Sequence, residues 1–500
     1  MKPLFYCLLF FFCKISTAQQ KNAARFANLI DTTDLRNHLY VIASAEMEGR
    51  ETATEGQRKA AAYIEQHFRK IGLSGGVNGT YQQRFPVYRD STINASLSLN
   101  QQILRPGSDF AFSNNSEKNV SVKGTEVVFV GYGISDSTRN DYADVDVMNK
   151  VVLVLPGAPT VKVKKKKRPG SSPDVFTLQE AAKKNGAAAI LIVDNRFPRP
   201  LQPALGSMYL NKPAEDSMPT MIFVSDSSAR LIIGNALDSA RNLKEGVPAA
   251  KVYTCDVAID FQQITQHLYS TNVIGVLEGS DKKDEAVVIT AHYDHMGKTD
   301  SAIFYGADDD GSGTVTILEL GEAFAAAAAA GTPPKRTIIL MAVSGEEKGL
   351  WGSAYYSANP VFPMEKTSAN INIDMIGRVE AGRKGDSLNY VYVVGDNRLS
   401  SDLRPISETV NKTDFNFILD YKFNDPDDPQ RIYYRSDHYN FAKHGVPALF
   451  YFNGLHNDYH RPSDTPDKIN YSLLARRAQL IFHTAWEILN RNEMLKRDLP

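Results

Sequence analysis

Asp284–Gly297 reads DEAVVITAHYDHMG: an apolar run from Ala286 to Ala291 that breaks abruptly into His292, Tyr293, Asp294 and His295. A short apolar run of this kind, ending in polar residues, predicts a strand buried on both faces. The same rhythm repeats downstream. GADDDGSG (306–313) leads into TVTILELGEAFAAAAAAG (314–331), an alanine-rich helical segment closed by Gly331. PPKRTIILMAVSGEEKGLWGSAYY (333–356) is a second apolar strand ending in acids, followed by a helix. ANINIDMIG (369–377) is a third and GVPALFYFNGLHNDYH (445–460) a fourth. Strands alternating with helices predict an α/β fold with a mainly parallel, mixed sheet sandwiched by helices.

Ligands bind such sheets beyond the carboxyl ends of the strands, where these runs turn polar. One run delivers His292 and Asp294, the next Glu346 and Glu347, the third Asp374, and the last His456, Asp458 and His460. Asp308, Asp309 and Asp310 are crowded into one glycine-flanked turn. An isolated aspartate triplet is most often a solvated loop, a strand-end histidine is often structural, and paired glutamates commonly start an exposed helix. Taken together, they are better explained by a metal centre of histidines and carboxylates. With no cysteine in the set, zinc suits it. The ligands outnumber what one tetrahedral ion with an open position uses, whereas two ions about 3.5–4 Å apart sharing a carboxylate would use them. Two dications would turn the repulsion within the aspartate turn into attraction.

The remainder of the 500 residues carries less chemistry. A net charge of −1 with 23% charged residues argues against a nucleic-acid partner. MKPLFYCLLFFFCKISTAQQ has a lysine, a short apolar run and small residues near Ala18, the pattern of an export signal over 1–18. Its apolar run is short for a membrane span, and no stable membrane insertion is expected once it is removed. Signal removal would leave Cys255 as the single cysteine, with no internal disulfide to form. Residues about 33–72 predict two helices around a glycine-containing connector; His67, on the apolar face of the second, is expected to be packed rather than a ligand. Beyond about residue 90 the strands shorten into a small α/β unit. The basic run Lys162–Ser172 is expected as a solvated loop.

AHYDHMG, GADDDGSG, SGEEKGLWGS, INIDMIG and YHRPSDTPD, in this order, resemble the zinc aminopeptidases typified by secreted bacterial enzymes (metallopeptidase family twenty-eight). The same family includes glutamate carboxypeptidase and the transferrin receptor. The N-terminal EMEGRETATEGQRKAAAYI shares the resemblance. It implies two Zn2+ ions: His292 and Asp374 on one, Glu347 and His460 on the other, with Asp309 bridging and followed by Asp310 through a cis peptide. Asp308 would then be expendable, facing solvent or a neighbouring loop. Glu346 aligns with the general base, which would take a proton from a zinc-bridging water and pass it to the leaving amine. Asp294 is placed to fix the His292 imidazole, and Tyr459 matches a position where some relatives carry a carbonyl-polarising tyrosine. His295, His444 and His456 are expected to be structural. Ser436, Asp437 and His438, being adjacent, cannot form a nucleophile triad and are expected in the pocket wall.

FVGYGI, DYADVDVMNKVVLVLPG and AAKKNGAAAILIV resemble a protease-associated domain. The implied organisation is a signal over 1–18, peptidase segments over 25–95 and 265–495, and an insertion over 96–262 that shapes the cleft. The expectation is an exported, periplasmic or secreted aminopeptidase acting on peptides. A glutamate-carboxypeptidase-like enzyme would need an arginine cluster to grip acidic C-termini, to which Arg431 and Arg435 could contribute. A receptor-like binding module is disfavoured because every expected ligand and the base are present. A single-zinc glutaminyl cyclase is disfavoured by that full set and by the insertion.

Overall fold

The computed structural model describes residues 23–499, apart from 114–118, 138, 158–159, 164–165, 170–172, 202–203, 212–217 and 244–246. The export segment expected over 1–18 therefore lies outside the described residues. The chain forms two compact units, one from the segments up to Val87 and from Leu268 onward, the other from Tyr88 to His267.

The main path of the first unit's sheet runs through β1 (Lys251–Leu277, through its last residues), β2 (Lys282–His292), β3 (Arg336–Val343), β4 (Thr367–Ile373), β5 (Tyr390–Val394), β6 (Ile418–Asp420) and β7 (Ala448–Phe452). Their order is β6-β5-β7-β4-β2-β3-β1. The centre is parallel, β2 pairing with β3 and β4, and β4 with β7. Antiparallel pairs β1–β3 and β5–β7 flank it, so the sheet is mixed. The opening stretch shows why its apolar run is continuous. Val287, Ile289 and Ala291 pack with residues of α1 (Thr32–Ile42), α2 (Glu55–Lys70), α3 (Gly313–Ala329) and the C-terminal helix Tyr471–Asn490. Ala286 and Val288 face the other way, towards Tyr356 and Phe441. Neither face of the strand meets water, and polar alternation would leave polar groups in the core.

Between α1 and α2, Glu48, Gly49 and Arg50 take left-handed backbone angles, turning the chain where the glycine-containing connector was expected. Arg50 is fully buried, its guanidinium donating to the carbonyls of Ile42, Tyr293, Tyr305 and Gly306. It thereby fastens the connector to the ends of β2 and of the loop before the aspartates.

In the second unit, Asn119–Phe129, Val151–Val154, Ala189–Val193 and Thr220–Val224 pair in parallel in that order. Helix Val175–Lys184 packs on one face of this sheet and helices Asp226–Ile233 and Ala236–Arg241 on the other. The basic run departs from expectation: Thr160–Val163 and Lys166–Pro169 pair as an antiparallel ribbon rather than an open loop. Cys255 is a buried free thiol. Among the described residues no helix is long and apolar enough to cross a membrane.

Candidate metal centre

The expected residues meet at the carboxyl ends of β2, β3, β4 and β7. His292 is the last residue of β2, and Asp374 immediately follows β4. Glu346 and Glu347 follow β3, and His460 lies in the turns beyond β7. Asp309 occupies the turn Ala307–Ser312 that opens α3, and its peptide bond to Asp310 is cis.

Two groups share Asp309. Its Oδ1 lies 3.2 Å from His292 Nε2, which is also 3.6 Å from Asp374 Oδ1 and 3.9 Å from Glu346 Oε2. Its Oδ2 lies 3.1 Å from His460 Nε2, which is 3.1 Å from Glu347 Oε2. His295, expected to be structural, joins the second group: its Nδ1 is 2.8 Å from Glu347 Oε1 and 3.8 Å from Asp309 Oδ2. Both ring nitrogens of His295, with Asp309 Oδ2 and Glu347 Oε1, are buried without a hydrogen-bond partner. Convergent lone pairs that do not bond one another fit a shared cation. His292, Glu346 and Asp374 form one metal-capable group, and His295, Asp309 and Glu347 another.

The electrostatics agree. Burial would lower the His460 imidazole, but Asp309 and Glu347 outweigh it and push its pKa up to about 10. Burial likewise opposes protonation of His292, and Glu346, Asp309 and Asp374 override it, raising that imidazole well above its ordinary value. The same field that holds these protons would hold a metal ion. Burial raises the Glu346 carboxyl well above the usual range; Glu347, Asp374 and Asp437 add to the rise and His292 opposes it.

The surrounding residues place these groups, several in ways a linear reading misses. Asp310 accepts from the main-chain N–H groups of His292, Gly313 and Met375 at 3.1, 2.9 and 3.0 Å. It thus ties the end of β2 to α3 and to the loop after β4. A Cβ at Gly313 would stand 2.4 Å from Asp310 Oδ1 and 2.6 Å from the Ile373 carbonyl, so only glycine fits. Asp464 Oδ2 accepts from the Asp308 and Asp309 N–H groups at 3.0 and 3.2 Å, fixing the turn from the far side.

Asp294 holds His292 differently from expectation. Its main-chain carbonyl lies 3.0 Å from His292 Nδ1, whereas its carboxylate is 3.8 Å away. That carboxylate instead accepts from Thr52 Oγ1 at 2.7 Å and from the Glu346 N–H at 3.2 Å, positioning the start of the acidic pair. Ser436 donates to Asp374 Oδ2 at 2.7 Å and accepts from Asn372 Nδ2 at 2.7 Å. Asp437 turns to Ser353, while His438 stacks on Phe450, so the three adjacent residues share no triad geometry. Asp308 does not face solvent: it is buried, accepts from the Gly377 N–H at 2.7 Å and lies 3.3 Å from His456 Nε2. His456 thus packs against Asp308 rather than joining either group around Asp309, and His444 Nδ1 meets the Asn440 carbonyl.

Tyr459 stacks on His460 with ring centroids 3.9 Å apart, and its hydroxyl accepts from Arg435 Nη2 at 3.3 Å. A cleft opens onto Asp309, Glu346 and Asp374, with Tyr459, Arg435 and Phe452 in its wall. Arg431 is directed elsewhere, over the Tyr434 ring.

Residues 272–485 match the model of peptidase family M28. A probable zinc metalloprotease of Pyrenophora teres f. teres (strain 0-1) is 28% identical over 229 residues, covering 39% of this chain and 44% of that protein. A probable leucine aminopeptidase of Arthroderma otae (strain ATCC MYA-4605 / CBS 113480) is 28% identical over 217 residues, 42% and 56% respectively. The chain spans between 22% and 56% of the length of the curated relatives it matches. Its fold is shared with the aminopeptidase from Aneurinibacillus sp. strain AM-1: TM-score 0.52, 19% identity, 95% of this chain and 97% of that one covered.

Proposed function

We propose that the chain is an exported exopeptidase that uses two zinc ions to remove residues from the free N-termini of peptides. The observation that carries this reading is the position of Asp309, one carboxylate whose two oxygens face separate histidine–carboxylate groups beside an open cleft. His292 and Asp374 would hold one ion, and Glu347 and His460 the other, with His295 at hand for the second. Zinc there supplies Lewis acidity, lowering the pKa of a bound water and favouring a developing oxyanion.

The chain's own groups supply the proton transfers and the positioning. Glu346, at the cleft and fixed through its N–H by Asp294, accepts the proton of the attacking water and delivers it to the departing amine. Its raised proton affinity suits an intermediate holder of that proton. With the Tyr459 oxygen accepting from Arg435, the phenolic proton is left for the scissile carbonyl oxygen. The unit Tyr88–His267 is read as the protease-associated insertion on its sequence motifs, and export on the signal-like first residues.

The test is degradation of matched peptides with free or acetylated N-termini by zinc-loaded protein, followed by mass spectrometry. Stepwise loss from the free N-terminus, blocked by acetylation, is the expected result; loss from the C-terminus regardless of acetylation would overturn it. That second outcome would fit a carboxypeptidase, the reading favoured by Arg435 in the cleft wall.

A further inference from the structure

A second group of metal-type ligands lies away from the strand ends, between three helices of the first unit. α1 contributes His38, α2 contributes His67 and Tyr63, and α3 contributes Glu319 and Glu322. The two glutamates sit six and nine residues into α3, about 9 and 14 Å along its axis from the aspartate turn. His67 Nε2 lies 3.4 Å from Glu322 Oε1, and His38 Nε2 lies 3.6 Å from Glu319 Oε1. The imidazoles meet edge to face, with centroids 4.6 Å apart. One ligand atom each from His38, His67 and Glu322 fall within 4.8 Å of one another.

Two features separate this group from an ordinary polar patch. The His67 and Glu319 side chains are only 4% and 1% exposed. Yet His67 Nε2 and Glu319 Oε1, both directed into the group, have no hydrogen-bond partner. Leaving such atoms unsatisfied is destabilising, and a bound cation would remove that cost. His38 is also already oriented: its Nδ1 is hydrogen-bonded to Tyr63 Oη at 2.6 Å, leaving Nε2 to face inward. Outer hydrogen bonds of this kind fix the ring of a ligating histidine.

We propose that His38, His67, Glu319 and Glu322 form an additional structural site for zinc or a similar divalent transition ion, clamping α1 and α2 to α3. Two imidazoles with carboxylates are a zinc-type set. Glu322, with 36% of its side chain exposed, gives an ion its way in.

The test is metal content per chain in zinc-saturated, dialysed protein, comparing wild type with the double variant His38→Gln/Glu322→Gln. The variant is expected to hold about one ion fewer, with peptidase activity unchanged and part of the zinc-dependent rise in Tm lost. Because the readout is a difference, it stands whether the strand-end centre takes one ion or two. Equal metal content in the two proteins overturns the proposal and leaves a neutral polar cluster. Should the double variant not fold, Tyr63→Phe replaces it. Loss of its hydrogen bond to His38 is expected to weaken the additional ion's affinity roughly 10-fold or more, and unchanged affinity is then the overturning result.

Discussion

Replacing Glu346 with glutamine keeps the side chain's length and its N–H bond to Asp294 but removes its capacity to take up a proton. Within its ligand group Glu346 is the most distant member from His292 Nε2, at 3.9 Å against 3.2 Å for Asp309 and 3.6 Å for Asp374. Zinc content should therefore survive the substitution. General acid–base catalysis contributes roughly 10²–10⁴-fold, or about 3–5 kcal/mol of barrier. Glu346→Gln should lower kcat by that factor with little change in KM, since the group acts only as charge moves in the transition state. Asp309→Asn is the contrast: it alters the one carboxylate both groups share and should lose zinc and turnover together. The assay pairs steady-state kinetics on a chromogenic aminoacyl substrate with zinc per chain by elemental mass spectrometry. Wild-type kcat in Glu346→Gln, or zinc loss matching that of Asp309→Asn, would refute the assignment of the base.

Ser436→Ala removes the 2.7 Å hydrogen bond to Asp374 and strips Asn372 Nδ2 of its acceptor. Zinc affinity should fall roughly 10–100-fold while excess zinc restores most of the activity, a pattern that zinc titration of kcat would reveal. His438 is buried against Phe450, and burial lowers its pKa to about 3. A histidine with a folded-state pKa below its unfolded value stabilises above the unfolded pKa, and the contribution is lost as pH falls towards the folded one. Stability should thus drop between pH 6.5 and 4 by on the order of 3 kcal/mol from this residue. Urea midpoints of wild type and His438→Gln at the two pH values check this, the variant showing the shallower acid loss.

The parallel sheet was legible because burial on both faces leaves a continuous apolar run, as in Ala286–Ala291, and the abrupt change to polar residues marks a strand's carboxyl end. The metal-ligand candidates were legible for the same reason: each stands at such a change, so a local pattern was enough to pick out His292, Glu346, Glu347 and Asp374. The approach of His295 to Glu347 and Asp309 was not legible because it lies three residues past the strand end, where its direction depends on how the following loop packs. Asp308 was expected to be exposed because its sequence neighbours alone do not reveal Gly377 and His456 closing over it.

Which residues are apolar and at what period they recur can be read along the chain, and with them which segments are strands, which are helices and where each strand stops. Those are local properties, set by side-chain alternation and hydrogen-bonding needs within a few residues. Which residues meet is set by packing between distant segments. Thr52 reaches Asp294 and Arg50 reaches Tyr305 across separations of 242 and 255 residues. His38, His67, Glu319 and Glu322 come from three helices whose individual patterns gave His67 merely a place on a packed face. Periodicity fixes the side of a helix that is buried, but the neighbour awaiting it is set by how the helices stack on the sheet. That stacking is a sum over many apolar contacts distributed along the chain.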